Sequence, residues 1–113
     1  MNNINEKINV EDFKKGRELN CKELMQYFNA HGFKFWSWGA NGFMNIFNYG
    51  FRFKVNGHHH KGHVYIVLNG LDLFDVYLTT VQGKIKYIMN DVYLEDLFTF
   101  LDEKIEKIPS YFQ

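Results

Sequence analysis

The chain has few residues of the kinds that form cross-links. Its 113 residues include one cysteine, Cys21, so no disulfide can form within the chain and no zinc site can be built from several thiolates. A lone cysteine is typical of proteins in reducing compartments, and we predict a cytoplasmic protein of the producing or host cell. A chain of this length buries roughly two thirds of its unfolded surface, so a hydrophobic core alone can stabilise it.

Long apolar runs and an excess of charge of one sign are also missing. The N-terminal residues are polar, and no apolar run reaches the length of a membrane span, so we expect no membrane partner. Thirteen basic residues balance thirteen acidic ones, so the whole molecule has no field that steers it toward nucleic acid. Frequent Asn, Lys, Ile, Phe and Tyr indicate an AT-rich genome, such as that of a low-GC bacterium, or of a phage or mobile element within one.

The sequence contains no motif for catalysis. It has no serine-centred elbow, no phosphate-binding glycine loop and no His-Glu zinc motif. Cys21 falls near a helix start, where the helix dipole favours a thiolate, but His31 lies too far along the same helix to act as its base. We therefore predict no catalytic residues, no cofactor and no enzymatic activity. A compact enzyme or a histidine-based metal protein ranks third among the interpretations.

A change in composition near residue 20 divides the chain into an arm and one α+β domain. Residues 1–19 are polar with isolated apolar positions, and we predict a partly flexible N-terminal arm. Residues 20–113 contain an amphipathic segment at each end and short alternating segments between them. This order predicts a twisted antiparallel sheet of five to six strands, flanked by an N-terminal helix and packed against a C-terminal amphipathic helix.

The two predicted helices have recognisable ends. Asn20 and Glu23 have the spacing of a capping box, for a helix over about residues 21–31. Apolar residues at steps of three and four predict the C-terminal helix over about residues 92–108. Asp91 precedes that helix and is its predicted N-cap or first-turn acid.

The segments between the helices read as strands. They are residues 33–38, 43–47, 51–55, 64–68, 72–79 and 84–89. The run 64–68 is apolar throughout, which predicts a central strand covered on both faces. The dipeptide at 69–70 is Asn-Gly, a signal for a two-residue hairpin, and the links are short enough to favour an antiparallel meander.

The most unusual feature is a long segment without acidic residues. Residues 24–71 contain no Asp or Glu, but they hold all five histidines, both tryptophans and four Lys or Arg residues. Strand alternation predicts one exposed cationic and aromatic face, a composition that suits stacking on bases and contact with phosphates. Its members are Lys34, Trp36, Trp38, Arg52 and Lys54. Burial of both tryptophans beneath the first helix is the alternative.

Four of the histidines lie close together after a predicted turn. Alternation places His58 and His60 on one strand face and His63 follows, so these three are the candidates for a metal site. No carboxylate lies nearby in the sequence to support metal ligands. We therefore predict a solvated loop without bound metal.

The C-terminal helix has the opposite charge. Residues 91–107 include six acids and two bases, so the molecule is predicted to be bipolar. Tyr93 and Phe100 are seven residues apart and fall to one side of the apolar stripe, which makes them candidates for an interface. Aromatic side chains in a charged rim suit contact with another protein or with a second copy of the chain. Cover by Tyr111 and Phe112 of the tail is the alternative.

Together these patterns predict a small non-catalytic protein that binds another macromolecule. A neutral chain with opposite local charges suits a specific protein surface, so protein binding or self-association as a homodimer ranks first. An accessory or inhibitor protein of a low-GC bacterium, phage or mobile element is the expected setting. Binding of single-stranded nucleic acid through the cationic and aromatic face ranks second.

Overall fold

The structure is a computed structural model, and it describes residues 6–106. In those residues it has a short 3₁₀ helix, three α-helices and five strands. In chain order they are the 3₁₀ helix (Val10–Lys15), α1 (Cys21–Asn29), α2 (Phe33–Trp36), β1 (Asn41–Ile46), β2 (Gly50–Asn56), β3 (Lys61–Leu68), β4 (Phe74–Thr79), β5 (Ile85–Val92) and α3 (Leu94–Ile105). The predicted α+β class is confirmed.

The strands form one antiparallel meander in the spatial order β1-β2-β3-β4-β5. β3 lies in the middle, and residues 64–67 are all buried, which confirms the predicted central strand. The link from β3 to β4 is longer than the predicted two-residue hairpin. The side-chain oxygen of Asn69 accepts hydrogen bonds from the backbone N–H groups of Leu71 and Leu73, which stabilises this wider turn.

The inner face of the sheet carries the main core. Phe51, Phe53 and Val55 alternate along β2 and are buried beneath the helices. Apolar side chains from all three helices cover them, among them Leu24, Phe28, Phe35, Leu97, Phe98 and Leu101. The predicted packing of the C-terminal helix against the sheet is therefore confirmed.

The outer face of the sheet is partly covered by the segment that precedes α1. Phe13 from the 3₁₀ helix is buried against Ile46, Tyr65 and Val67. Backbone hydrogen bonds attach this segment to the sheet, from Ile85 N–H to Glu6 O, from Ile8 N–H to Gly83 O and from Arg17 N–H to Leu68 O. The described part of the predicted arm thus contributes a second, smaller core.

The ends of the two long helices differ slightly from the prediction. The side chain of Asn20 accepts a hydrogen bond from Glu23 N–H at 3.0 Å, which confirms the predicted cap of α1. Asp91 is not the N-cap of α3, because it lies within β5 with a φ of 57° and Tyr93 occupies the cap position. The predicted helix end at Ile108 lies outside the described residues. No helix within residues 6–106 is long and apolar enough to cross a membrane.

The prediction of a strand over residues 33–38 is wrong. Gly32 adopts a φ of 57°, which ends α1 and lets the chain begin α2 at once. Phe35 and Trp38 are three residues apart, and both are fully buried, as helical spacing requires. The alternating aromatic pattern is compatible with either structure over so short a run, and the core position of this pair favours the helix.

Candidate protein-binding site at the β1 edge

The five residues of the predicted binding face do not share one surface. Arg52 and Lys54 project from the outer face of β2, since the alternate residues of that strand lie in the inner core. Lys34, Trp36 and Trp38 belong to α2 and the turn after it, on the side of the sheet that the helices cover. The predicted continuous face is therefore wrong, because its first segment is helical.

Trp38 is a core residue and takes no part in an exposed surface. Its side chain is 0% exposed, and its indole stacks on Phe98 with ring centroids 4.8 Å apart. The indole Nε1–H donates to Asp102 Oδ1 at 2.9 Å, which satisfies the only polar group of the buried ring. Burial, the alternative drawn from the sequence, is confirmed for this tryptophan.

A different group of side chains is exposed around β1. Phe33 is 88% exposed, Trp36 is 47% exposed and Phe47 is 50% exposed. We call the surface around α2 the aromatic edge and define it as Phe33, Lys34, Trp36 and Phe43. It combines α2 and β1 within the acid-free segment. Phe47 lies in the turn after β1, beside Lys14 of the segment on the outer sheet face.

The short helix α2 exposes aromatic rings because aromatic residues occupy its solvent-facing positions as well as its buried one. Phe35 faces the core and stacks on Phe28 with centroids 5.2 Å apart. Phe33 and Trp36 are three residues apart, so they lie together on the helix surface that remains. Trp36 meets Phe43 edge to face at 6.2 Å, which continues the surface from α2 onto β1.

β1 is an edge strand with an irregular backbone. Among the described strands it pairs with β2 alone, and the pairing shifts between Asn41 and Met44, where Gly42 has a φ of 65°. A bulge at an edge discourages the addition of another strand. Contacts at this edge would therefore be made mainly by side chains and less by extension of the sheet.

Phe47 is held in an unfavourable backbone conformation at the end of β1. Its φ is 57° and that of Asn48 is 65°, in a turn closed by a hydrogen bond from Tyr49 N–H to Ile46 O. A bulky residue in the left-handed region costs on the order of 1 kcal/mol, and such positions are enriched at functional sites. Lys14 Nζ lies over the exposed Phe47 ring, 4.5 Å from its centroid, in a cation–π contact.

The aromatic edge carries one lysine and no acidic residue of its own. Lys34 lies between Phe33 and Trp36 in sequence, is exposed and has no salt bridge within residues 6–106. No acidic residue occurs between positions 24 and 71, so no acid from this segment offsets it. Apolar rings with an unpaired lysine complement an apolar surface that has an acidic rim.

The histidine loop closes the C-terminal end of α3. The backbone N–H of His59 donates to Ile105 O at 2.8 Å, and that of His58 donates to Glu106 Oε1 at 3.0 Å. The first bond satisfies a backbone carbonyl at the helix end, and the second attaches the loop to the side chain of the residue that follows the helix. Within residues 6–106, no three His, Cys, Asp or Glu side chains lie close enough together to hold a metal ion.

Of the other two histidines in this group, His60 is buried and His63 is partly buried. Burial lowers the pKa of His60, and Lys86 lowers it further, while a hydrogen bond to His63 O opposes the shift. Burial also lowers the pKa of His63, followed in effect by Arg52, Lys54 and His60. The prediction that the whole cluster is a solvated loop is therefore wrong for His60, which packs into the structure.

The remaining sequence candidates lie elsewhere. Burial raises the pKa of the Cys21 thiol, whose Sγ donates to Gly50 O at 3.4 Å, so this cysteine is poorly suited to act as a nucleophile. Tyr93 is exposed at the start of α3, whereas Phe100 is half-buried and stacks on Tyr87 at 5.9 Å. The role of Tyr93 and Phe100 as an interface stays a prediction.

Sequence reasoning missed the two most informative exposed rings. Strand alternation over residues 33–38 places Phe33 opposite the predicted exposed face, on the core side, and the pattern of residues 43–47 predicts a strand that includes Phe47. Glycine at position 32 is the signal that could have separated α2 from a strand, because it permits two consecutive helices to meet at an angle. No sequence signal distinguishes Phe47 from a core phenylalanine.

Comparisons with known proteins supply no template for this site. No protein-family model, curated protein or solved structure matches the chain.

Proposed function

We propose that this chain is a small non-catalytic protein that binds another protein through the aromatic edge. The observation that carries the proposal is the exposure of Phe33 and Trp36 side by side, when most of the other described aromatic rings are wholly or partly buried. Large aromatic side chains dominate the binding energy of protein interfaces.

A protein partner is favoured over single-stranded nucleic acid. Binding of single strands relies on exposed rings next to cations that follow the phosphate backbone. Here Arg52 and Lys54 lie on the outer sheet face, whereas Phe33 and Trp36 lie at the helix-covered side. Lys34 is the one lysine beside these two rings in the sequence, which is too little charge to hold a polyanion.

The expected partner is a different protein with an apolar pocket and acidic groups around it. Two rings three residues apart on a helix fit a pocket as neighbouring anchors, and Lys34 would contact the acidic rim. An accessory or inhibitor protein of a low-GC bacterium, phage or mobile element is the setting we propose. Self-association is the competing form of protein binding, because α3 provides acidic groups on the same chain.

Site-specific photo-crosslinking tests this proposal directly. The photoreactive residue benzoylphenylalanine replaces Phe33 in one variant and Leu71 in a control, in cells of the type in which the protein occurs. Leu71 is apolar and 71% exposed but lies in the β3–β4 loop, so it matches Phe33 in chemistry and not in position. We expect a discrete protein adduct from position 33 and none from position 71.

The nature of the adduct distinguishes the candidate functions. A second copy of the chain in the adduct assigns self-association, which light scattering of the purified protein then has to reproduce. An adduct that nuclease treatment removes would contradict protein binding and favour nucleic acid. Equal adducts from both positions would mean that the aromatic edge is not a specific surface.

A further inference from the structure

The outer sheet face is only partly covered by the segment before α1, and it carries three basic side chains that lie close together. We call Arg52, Lys54 and His63 the basic block. Arg52 and Lys54 alternate along β2, and their direct partners on β3 are Tyr65 and His63. Opposed residues on neighbouring strands have Cβ atoms about 5 Å apart, and alternate residues along a strand are about 7 Å apart. Three basic groups therefore surround an area that is small enough for one ligand group.

This block has donors without acceptors. Arg52, Lys54 and His63 make no salt bridge within residues 6–106. Arg52 Nε and His63 Nδ1 are shielded from solvent and have no hydrogen-bond partner among the described residues. Arg52 and Lys54 are like charges at alternate positions of one strand face, about 7 Å apart, and a bound anion would offset their repulsion. His63, opposite Lys54, adds an imidazole beside these two cations.

The groups that face His63 are basic or uncharged. Arg52 and Lys54 face it from β2, and His60 from the loop before β3, and all three lower its pKa in addition to burial. From β4 its direct partner is Thr79, which does not titrate near neutral pH. The local potential at the imidazole is therefore positive, and an anion is the missing complement.

We propose that Arg52, Lys54 and His63 form a binding site for one small oxyanion, either inorganic phosphate or the phosphate group of a small phosphomonoester. The arginine offers a planar pair of donors, the lysine a mobile charge and the histidine a ring N–H. This site is separate from the aromatic edge and does not depend on the proposed protein binding.

Other side chains on the outer sheet face disfavour the binding of an extended polyanion such as a nucleic-acid strand. Burial raises the pKa of Tyr77, and so do the nearby carboxylates of Asp75, Asp12 and Glu6. These acids lie around Tyr77, which pairs with Tyr65 across β3 and β4, and there they would repel a continuing phosphate backbone. Tyr65 is buried and Tyr77 half-buried, so neither ring is available for stacking on a base.

Titration of the ¹⁵N-labelled full chain with inorganic phosphate tests the site, with chloride keeping the ionic strength constant. We expect saturable NMR shifts at the Arg52 Nε–H and the His63 ring. Arg52→Gln and Lys54→Gln should each weaken phosphate binding about tenfold or more. Lys22→Gln removes the same charge from an exposed position on α1 and should change the affinity by less than about twofold.

Two further readouts separate a built site from simple charge effects. The pKa of His63 should rise when phosphate binds, because the oxyanion stabilises the imidazolium. Arg52→Lys keeps the charge and loses the planar fork, so it should bind phosphate more weakly than the natural chain and more tightly than Arg52→Gln. Tighter binding of phenyl phosphate than of inorganic phosphate would assign an ester as the source.

Several results would overturn the oxyanion site. Shifts that do not saturate, or equal weakening by Lys22→Gln and Lys54→Gln, would reduce it to nonspecific screening. Oligothymidylate that displaces phosphate, with an affinity that falls steeply with salt, would replace it with a nucleic-acid surface. Urea unfolding of each variant checks that lost binding is not lost folding, and exposed Lys54 keeps the test valid if Arg52→Gln is unstable.

Discussion

At the scale of single residues, the two tryptophans show what sequence pattern can and cannot predict. Trp36 and Trp38 are two positions apart, so alternation places them on the same face. The helical turn instead exposes Trp36 and buries Trp38 against Phe98 and Asp102. A run of six residues fits both periods, and only the tertiary position of Phe35 and Trp38 decides between them.

The two tryptophans should therefore respond differently to replacement by phenylalanine. Trp38→Phe removes the hydrogen bond to Asp102 and leaves a gap in the core, so it should lower the free energy of unfolding by about 2 kcal/mol or more. Trp36→Phe should lower it by less than about 0.5 kcal/mol. Urea titration measures both, and equal losses would contradict the assignment of Trp38 to the core.

Phe47 offers a prediction about strain. Phe47→Asn places a residue that tolerates a positive φ at this turn, so the free energy of unfolding should rise by about 0.5–1 kcal/mol. Leu71→Asn makes a similar polarity change in a residue whose φ is not positive and should give no such gain. If Phe47→Asn is instead destabilising, the contact of its ring with Lys14 outweighs the strain.

At the scale of elements, both ends of α3 are fixed by other parts of the chain. The Tyr27 hydroxyl donates to Leu94 O and accepts from Phe98 N–H, each at 2.8 Å, so it sits within the first helical turn. The loop before β3 closes the other end through His59 N–H and Ile105 O. The apolar stripe predicted the helix, but these long-range contacts at its ends leave no sequence signal.

Close packing of this loop against α3 can be tested at Gly57. A Cβ atom added there would lie 2.3 Å from Ile105 O, so Gly57→Ala should cost about 1–3 kcal/mol of unfolding free energy. At Gly70 a Cβ would meet nothing within 4 Å, so Gly70→Ala should be neutral or slightly stabilising. Thermal or urea unfolding of the pair would show equal stabilities if the loop does not pack on α3.

At the scale of the whole molecule, the architecture was largely predictable and the binding surface was not. The turns, the apolar central strand and the stripe of α3 can each be recognised from a short stretch of sequence. A surface depends on which residues the packing leaves outside. Alternation predicts a buried Phe33 and an exposed Trp38, and the structure has Phe33 exposed and Trp38 buried. The charge pattern of the sequence did predict part of the surface, because the acid-free segment supplies both Lys34 and the basic block on the outer sheet face.

Stability of the whole fold should decrease in mild acid. The pKa values of His60 and His63 lie below their ordinary value of 6.5 in the folded protein, mainly through burial. The unfolded chain therefore binds protons first as the pH falls, so stability is complete above pH 6.5 and declines below it. The urea midpoint should fall from pH 7.5 to 5.5, and less so in His60→Gln/His63→Gln. A midpoint that is unchanged or higher at pH 5.5 would contradict this.

The most direct test of protein binding through the aromatic edge is an affinity measurement with the purified partner from photo-crosslinking. Isothermal titration compares the natural chain with Phe33→Ala/Trp36→Ala and with Leu71→Ala. Loss of two anchor rings should weaken binding about 30-fold or more, and Leu71→Ala should change it by less than about threefold. Equal affinities of the natural chain and the double variant, both shown to be folded, would contradict the proposed binding surface.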